Sequence, residues 1–383
     1  MNDNSMSIDQ STAPMSGKQL GIGLLLLMVL WPIVYAIGGE AQSIAIAGLQ
    51  VLPFMFLAVC AYLGLRFTWG KVLTLVYWVI FIGISALGIF AMSISPFVDL
   101  NNNTIVSGGL LSISQIFLSI TLAFFISLVG FIPPFQRWLS RFLPFDPNSF
   151  VHRIALVTML TLSLISFAPL LFQDTPPLLA LFEQNSETFN EGRDDSGMLR
   201  DMLYGLMWTV PCAIVAVGYG LQRDLPAALE RLGLVRPTLR QLGEAAVFTV
   251  VLVIVATLLN MSTSWLWGIF GWPTTDGEAF NTLLGFAINP IGAVVIGVTA
   301  GLGEELAIRG ALQPRFGILL PNIFFTSLHA MQYHWDSLLL VFLIGLALGW
   351  IRKRSNTTIS AIVHGSYNFI LVLGAALQIP WFS

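Results

Sequence analysis

Charge is scarce in this chain. Of 383 residues only 10% are Asp, Glu, Lys or Arg, 56% are hydrophobic, and the mean hydropathy is +0.82. A soluble globular domain is about 25% charged and under half apolar. A water-soluble class is therefore excluded, and an all-α polytopic membrane protein is expected. Cysteine is nearly absent as well. Cys60 and Cys212 both lie in long apolar runs, so they read as buried thiols, with no disulfide framework and no cysteine metal knuckle. No HExxH segment occurs, so the local zinc motif is missing. No internal repeat is visible, and the formal net charge of -3 is less informative than where the charges sit.

What the chain does have is apolar runs of membrane-spanning length. Residues 1–17 are polar and read as a disordered tail. The run after Lys18 is long for a secretory signal core and reads as the first span. Eleven spans are expected, at about 19–38, 44–65, 72–93, 107–131, 154–172, 202–221, 245–268, 285–308, 317–333, 337–351 and 358–377. The ninth and tenth are short.

The connections alternate in sign. Lys18, Arg66 with Lys71, Arg137 with Arg141 and Arg153, Arg223 to Arg240, Arg309 with Arg315, and Arg352 to Arg354 fall in one set. The other set is acidic or neutral, with Glu40, Asp99, the segment 173–201, Asp276, Glu278 and Asp336; of 17 basic residues only Arg193 and Arg200 fall there. The positive-inside rule then places the amino terminus in the cytoplasm. The segment 135–147 mixes aromatics with arginines and reads as interfacial, whereas 182–201 reads as a solvated external loop.

Polar groups deep in apolar helices are costly and mark functional sites by default. Here they gather in the carboxyl-terminal third: Glu304, Glu305, Arg309, His329, His364 and Asn368. On α-helical geometry Glu305 pairs with Arg309 four residues on, in the favourable order. Glu304, about 100° round the helix, has no obvious partner there. The paired acid stays ionised and the other is left to handle protons. His364 and Asn368 share a face and can donate to a developing oxyanion. His329 could hold a water with Glu304. It stands ten or more residues into its helix, some 15–20 Å at 1.5 Å each, though Pro314 and Pro321 delay that helix's start. Gly297 and Gly301 form a GxxxG suited to close helix packing, and Gly303 and Gly310 flank the acids. His334 reads as a solvated turn residue, and His152 as a loop residue with no function.

Three of these segments occur in order: "EELAIR" fits EExxxR, "FTSLH" fits FxxxH and "HGSYN" fits HxxxN. Together they resemble the CPBP family, which holds the CAAX proteases and bacteriocin-processing enzymes. The resemblance covers about 285–375, dividing the chain into an amino-terminal region, 18–284, and a catalytic core, 285–377. It implies an intramembrane endopeptidase in which Glu304 and His329 activate water and His364 and Asn368 stabilise the oxyanion. Glu305 and Arg309 take supporting positions.

A zinc ion on two histidines and a glutamate is one reading of the cofactor. A metal-free, glutamate-activated water is slightly favoured, because Asn368 is a poor zinc ligand and a good oxyanion donor. The expected partners are a peptide or membrane-protein substrate and membrane lipid, with no nucleic acid. The expected place is a bacterial cytoplasmic membrane, with the site open to the cytoplasm. The alternative is a non-catalytic scaffold or a proton-coupled transporter. A transporter should repeat its polar groups in matching halves, and these do not repeat.

Overall fold

The structure is a computed structural model that describes residues 23, 30–99, 104–184 and 194–379. The expected disordered tail at 1–17, most of the first half of the first span and residues 185–193 of the external loop lie outside the described residues.

Residues 30–37 are helical. There follow α1 (Gly39–Gly48), α2 (Leu52–Arg66), α3 (Thr68–Ile94), α4 (Gly109–Ser127), α5 (Pro133–Leu139), α6 (Phe150–Phe167), α7 (Pro177–Gln184) and α8 (Asp195–Ala216). The remainder is α9 (Leu225–Leu232), α10 (Leu239–Phe270), α11 (Gly277–Leu283), α12 (Pro290–Phe316), α13 (Leu319–Ser327), α14 (Trp335–Arg354) and α15 (Thr357–Ala376). Between α3 and α4, β1 (Val98–Asp99) and β2 (Thr104–Ile105) form a small antiparallel hairpin with Val98 opposite Ile105.

The all-helical polytopic architecture is as expected. Among the described residues, seven helices are long and apolar enough to cross a membrane, or up to eight if the α1–α2 pair, bent by 49°, is one span. The expected ninth span is the exception in kind: α13 has only nine residues, and the chain reaches the far end through the turn that follows it. α8 is 22 residues long but carries Asp195, Arg200 and Asp201 in its first turns.

Contacts sort the connections into two ends. At one end Arg66 donates to the Leu221 carbonyl at 2.8 Å, Arg231 to those of Gly310 and Ala311, Gln241 to Ser355, and Phe145 stacks on Phe316. At the other end Glu40 pairs with Arg200, Thr275 donates to Asp336, His334 meets the Gln173 carbonyl, and Leu178 donates to that of Met331. These are the basic and acidic sets read from the sequence. A chain that alternates between ends brings every second connection together.

Burial shows which helices face lipid. α6 with its short extension is 72% buried along its apolar window, whereas those of α3 and α10 are 22% buried. Small polar groups tie α6 to its neighbours: Trp78 donates to Thr158 at 3.1 Å, and Ser127 bonds Thr161 at 2.7 Å. In an apolar medium such bonds take the place of hydrophobic exclusion as helix glue. Helix starts follow the local sequence. Asn289 accepts from Gly292 N–H and Asn356 from Ile359 N–H, both at 2.9 Å, and a Thr238–Gln241 capping box opens α10.

Two local expectations change. His334 is buried, 3% exposed, with its backbone N–H donating to Thr275; it plugs the acidic end instead of lying in solvent. His152 belongs to the first turn of α6, where its Nδ1 accepts from the Asp146 N–H.

Candidate active site

α12 is not α-helical throughout. After Val298 it winds as a π-helix over Thr299–Glu304 and again over Leu306–Leu312. Glycines at 301, 303 and 310 lower helix propensity there. Bonding from i to i+5 widens the turn, so the α-helical angles assumed for the two acids do not apply. The Glu305–Arg309 pair still forms, with Arg309 Nε 3.5 Å from Glu305 Oε2 and both residues fully buried.

Close approach of α15 brings the rest. A Cβ on Gly301 would lie 2.6 Å from the Ala361 carbonyl, and one on Gly365 would lie 2.6 Å from that of Gly297. The GxxxG face is therefore a backbone-to-backbone contact. It sets His364 against the acids: Nδ1 lies 3.1 Å from Glu305 Oε1, and Nε2 lies 3.9 Å from Glu304 Oε2. Ser360, one turn before His364, donates to Glu305 Oε2 and also reaches the Leu348 carbonyl at 3.1 Å. Glu305 thus has Arg309, Ser360 and His364 about it. Glu304, with a side chain 38% exposed, has only His364 within ion-pair reach among the described residues.

α13 closes another side. His329 lies just past the end of this short helix, ten residues after its first residue, so it stands at the far end of α13 instead of midway along a longer one. Its Nδ1 is 3.0 Å from the Phe325 carbonyl, and its ring stacks on Tyr333 at 6.0 Å. The Phe325 ring is the shared neighbour. It packs edge-on against His329 at 4.8 Å and His364 at 6.3 Å, and lies under the Arg309 guanidinium at 5.3 Å. Among the described residues His329 makes no ion-pair contact with Glu304; the imidazole that reaches Glu304 is that of His364. Asn368 is half-buried one turn beyond His364 and makes no side-chain hydrogen bond among the described residues.

The partners assign both tautomers. A carbonyl and a carboxylate only accept, so both Nδ1 atoms carry hydrogen. When neutral, each ring therefore leaves an Nε2 lone pair.

Arg309 is anchored a second time. Its Nη2 donates to the Gly345 carbonyl at 2.9 Å and to Asn322 Oδ1 at 3.3 Å; Gln313, one turn on, donates to the Gly349 carbonyl at 2.7 Å. Asn322, also fully buried, donates to the Phe342 carbonyl, joining α12, α13 and α14. At the basic end, Arg231 donates to Gly310 and Ala311; burial and the nearby Arg315 and Arg223 push its guanidinium down to about 10, still charged at neutral pH.

Ser360 and Asn322 belong to the site although motif reading alone passed over them, and Phe325 is the phenylalanine of the FxxxH motif. Their signal was present: Ser360 precedes His364 by four, and Asn322 and Phe325 precede His329 by seven and four, all helical spacings.

Two Nε2 lone pairs beside a glutamate are suitable ligands in kind. Among the described residues, however, no three His, Cys, Asp or Glu side chains gather closely enough to hold one ion. The arrangement does not fit a three-ligand zinc site.

No curated protein and no solved structure matches the chain. Residues 286–370, the stretch that carries Glu304, Glu305, Arg309, His329, His364 and Asn368, match the family model described as type II CAAX prenyl endopeptidase Rce1-like, which is the CPBP relationship expected from the three motifs.

Proposed function

We propose that the protein is an intramembrane endopeptidase of the CAAX-protease type, acting on peptides or proteins held in the membrane, with Glu304 as its general base. The observation that carries this reading is the placement of His364 between one fully tied acid, Glu305, and one exposed acid, Glu304. Two carboxylates with unlike surroundings are what a hydrolytic site needs.

In the proposed reaction a water stands between Glu304 and the substrate carbonyl. The 3.9 Å separation of Glu304 and His364 Nε2 exceeds a hydrogen bond and leaves room for a bridging contact. Glu304 takes a proton from the water, and the oxygen bonds to the carbonyl carbon. His329 accepts the other water hydrogen at Nε2. Asn368 donates to the oxyanion, as does His364 at Nε2 in its imidazolium form, with its Nδ1–H held by Glu305. Glu304 then gives its proton to the departing amine as the C–N bond breaks.

Glu304 lies near the middle of α12, between its Asn289-capped start and the end that Arg231 clasps. The alternating sign of the loops supports a cytoplasmic amino terminus, and eleven crossings of a bacterial cytoplasmic membrane with access to the site from the cytoplasm are part of this proposal. The test is cleavage of a membrane-anchored reporter peptide by wild type and Glu304→Gln in liposomes. Loss of cleavage with unchanged folding is expected; normal cleavage by Glu304→Gln would remove Glu304 as the general base, and no cleavage by wild type would leave the non-catalytic scaffold as the better reading.

A further inference from the structure

The connection at 132–149 joins α4 to α6 at the basic end and plays no part in the proposed reaction. α5 begins on Pro133 and Pro134 and is followed by an irregular turn. Beneath it lies a cavity of about 360 Å³ lined by Pro133, Gln136, Arg137, Pro147, Asn148 and Arg153. A second, of about 330 Å³, is lined by Pro134, Arg137, Trp138 and Arg141. Arg137 lines both, so the two adjoin at that side chain, and together their linings carry three guanidinium groups.

None of the three pairs with an acid among the described residues. The acid within the connection, Asp146, accepts the Asn148 N–H and does not neutralise an arginine. Arg153 Nε is buried without a hydrogen-bond partner, while its guanidinium lies over the Phe150 ring at 5.8 Å. The same guanidinium lines the first cavity, so its remaining N–H groups are open to an acceptor from outside the chain.

The lip of the cleft fixes where that acceptor comes from. Phe135 lies against Trp138 at 5.8 Å and Trp138 against Phe142 at 5.4 Å, and Trp138 and Phe142 are 51% and 69% exposed. Exposed Trp and Phe beside arginines, at the end of spanning helices, belong at the headgroup level of a bilayer. At that level the abundant anion is lipid phosphate, which arginine binds through paired N–H groups. A zwitterionic headgroup would bring a further cation into a cleft that already holds three.

We propose that this cleft is a binding site for one anionic phospholipid, with its phosphate against Arg137 and Arg153 and its glycerol and acyl chains over Trp138 and Phe142. The site is independent of the hydrolytic centre.

The test uses the full chain in neutral detergent micelles, titrated with phosphatidylglycerol while thermal unfolding is followed. Phosphatidylcholine and inorganic phosphate serve as the other probes. The expected result is a rise in Tm with phosphatidylglycerol alone. In the Arg137→Gln/Arg153→Gln double variant, half-saturation should need on the order of tenfold more of that lipid. Arg236→Gln/Lys353→Gln, which removes the same charge from exposed positions at the same end, should respond as wild type. Arg141→Gln, at an exposed position, gives a smaller shift in the same direction and keeps the test open if the double variant does not fold. An undiminished response in the Arg137/Arg153 variant, or in Arg141→Gln where the double does not fold, overturns the site, as does equal loss in the Arg236/Lys353 variant. A full response to inorganic phosphate overturns the lipid assignment in favour of a soluble anion.

Discussion

His364 Nδ1 lies 3.1 Å from Glu305 Oε1, across 59 residues of chain, and the same ring turns its Nε2 toward Glu304. One imidazole therefore touches both acids of the pair, but only Glu305 is otherwise engaged. The two glutamates should respond differently to the same substitution. Glu304→Gln should abolish peptide cleavage with a normal Tm. Glu305→Gln leaves Arg309 buried without its counter-charge, at a cost of about 3–5 kcal/mol. It should show lowered expression and Tm, partly recovered in Glu305→Gln/Arg309→Met. Specific activity per folded molecule decides the assignment: an active Glu304→Gln beside a stable, dead Glu305→Gln reverses it.

Asn368 has no competing partner among the described residues and stands one turn from His364. Asn368→Ala should fold normally and lose about 10²–10³ in turnover, the usual loss for one oxyanion donor. Steady-state kinetics separate the possibilities. A change confined to KM would make Asn368 a peptide-recognition residue.

Helix approach is the next lever. A Cβ on Gly345 would fall 2.0 Å from Asn322 Oδ1 and 3.1 Å from Arg309 Nη2. Gly345→Ala should displace the Arg309 anchor and cost about 1–3 kcal/mol or more. Gly83, where an added Cβ meets nothing within 4 Å, is the control site, and Gly83→Ala should be neutral. Equal Tm values for the two variants would show that the Arg309–Asn322–Gly345 contact is not under packing constraint.

Metal dependence follows from the ligand geometry. Purified protein should retain peptidase activity after stringent chelation, with substoichiometric zinc by elemental analysis. One tightly held zinc per chain, with activity tracking its removal and return, would replace the metal-free mechanism and leave the residues in place.

Sidedness is open to chemical labelling. Glu230 and Glu278 are exposed at the basic and acidic ends, respectively. A cysteine at 278 should react with an impermeant maleimide added to intact cells, and one at 230 only after lysis. The opposite pattern would invert the chain and place the site on the outer face.

The sequence alone determined the class of this protein and the sorting of its connections, because an apolar solvent admits few backbone solutions and charge marks the ends. The acid–arginine pair was legible because it lies within one turn of one helix. The three motifs were legible as local spacings. What a linear reading could not supply was depth and neighbourhood. Only the tertiary structure turned the ninth apolar run into a nine-residue helix that ends before His329. Only it wound α12 as a π-helix over Thr299–Glu304 and Leu306–Leu312. Only it put His364 on both acids and Phe325 beneath three polar groups. These arrangements depend on contacts between helices far apart in the chain. They are decided where glycine lets backbones touch, as at Gly301 and Gly365, and no periodicity within a single helix encodes that meeting.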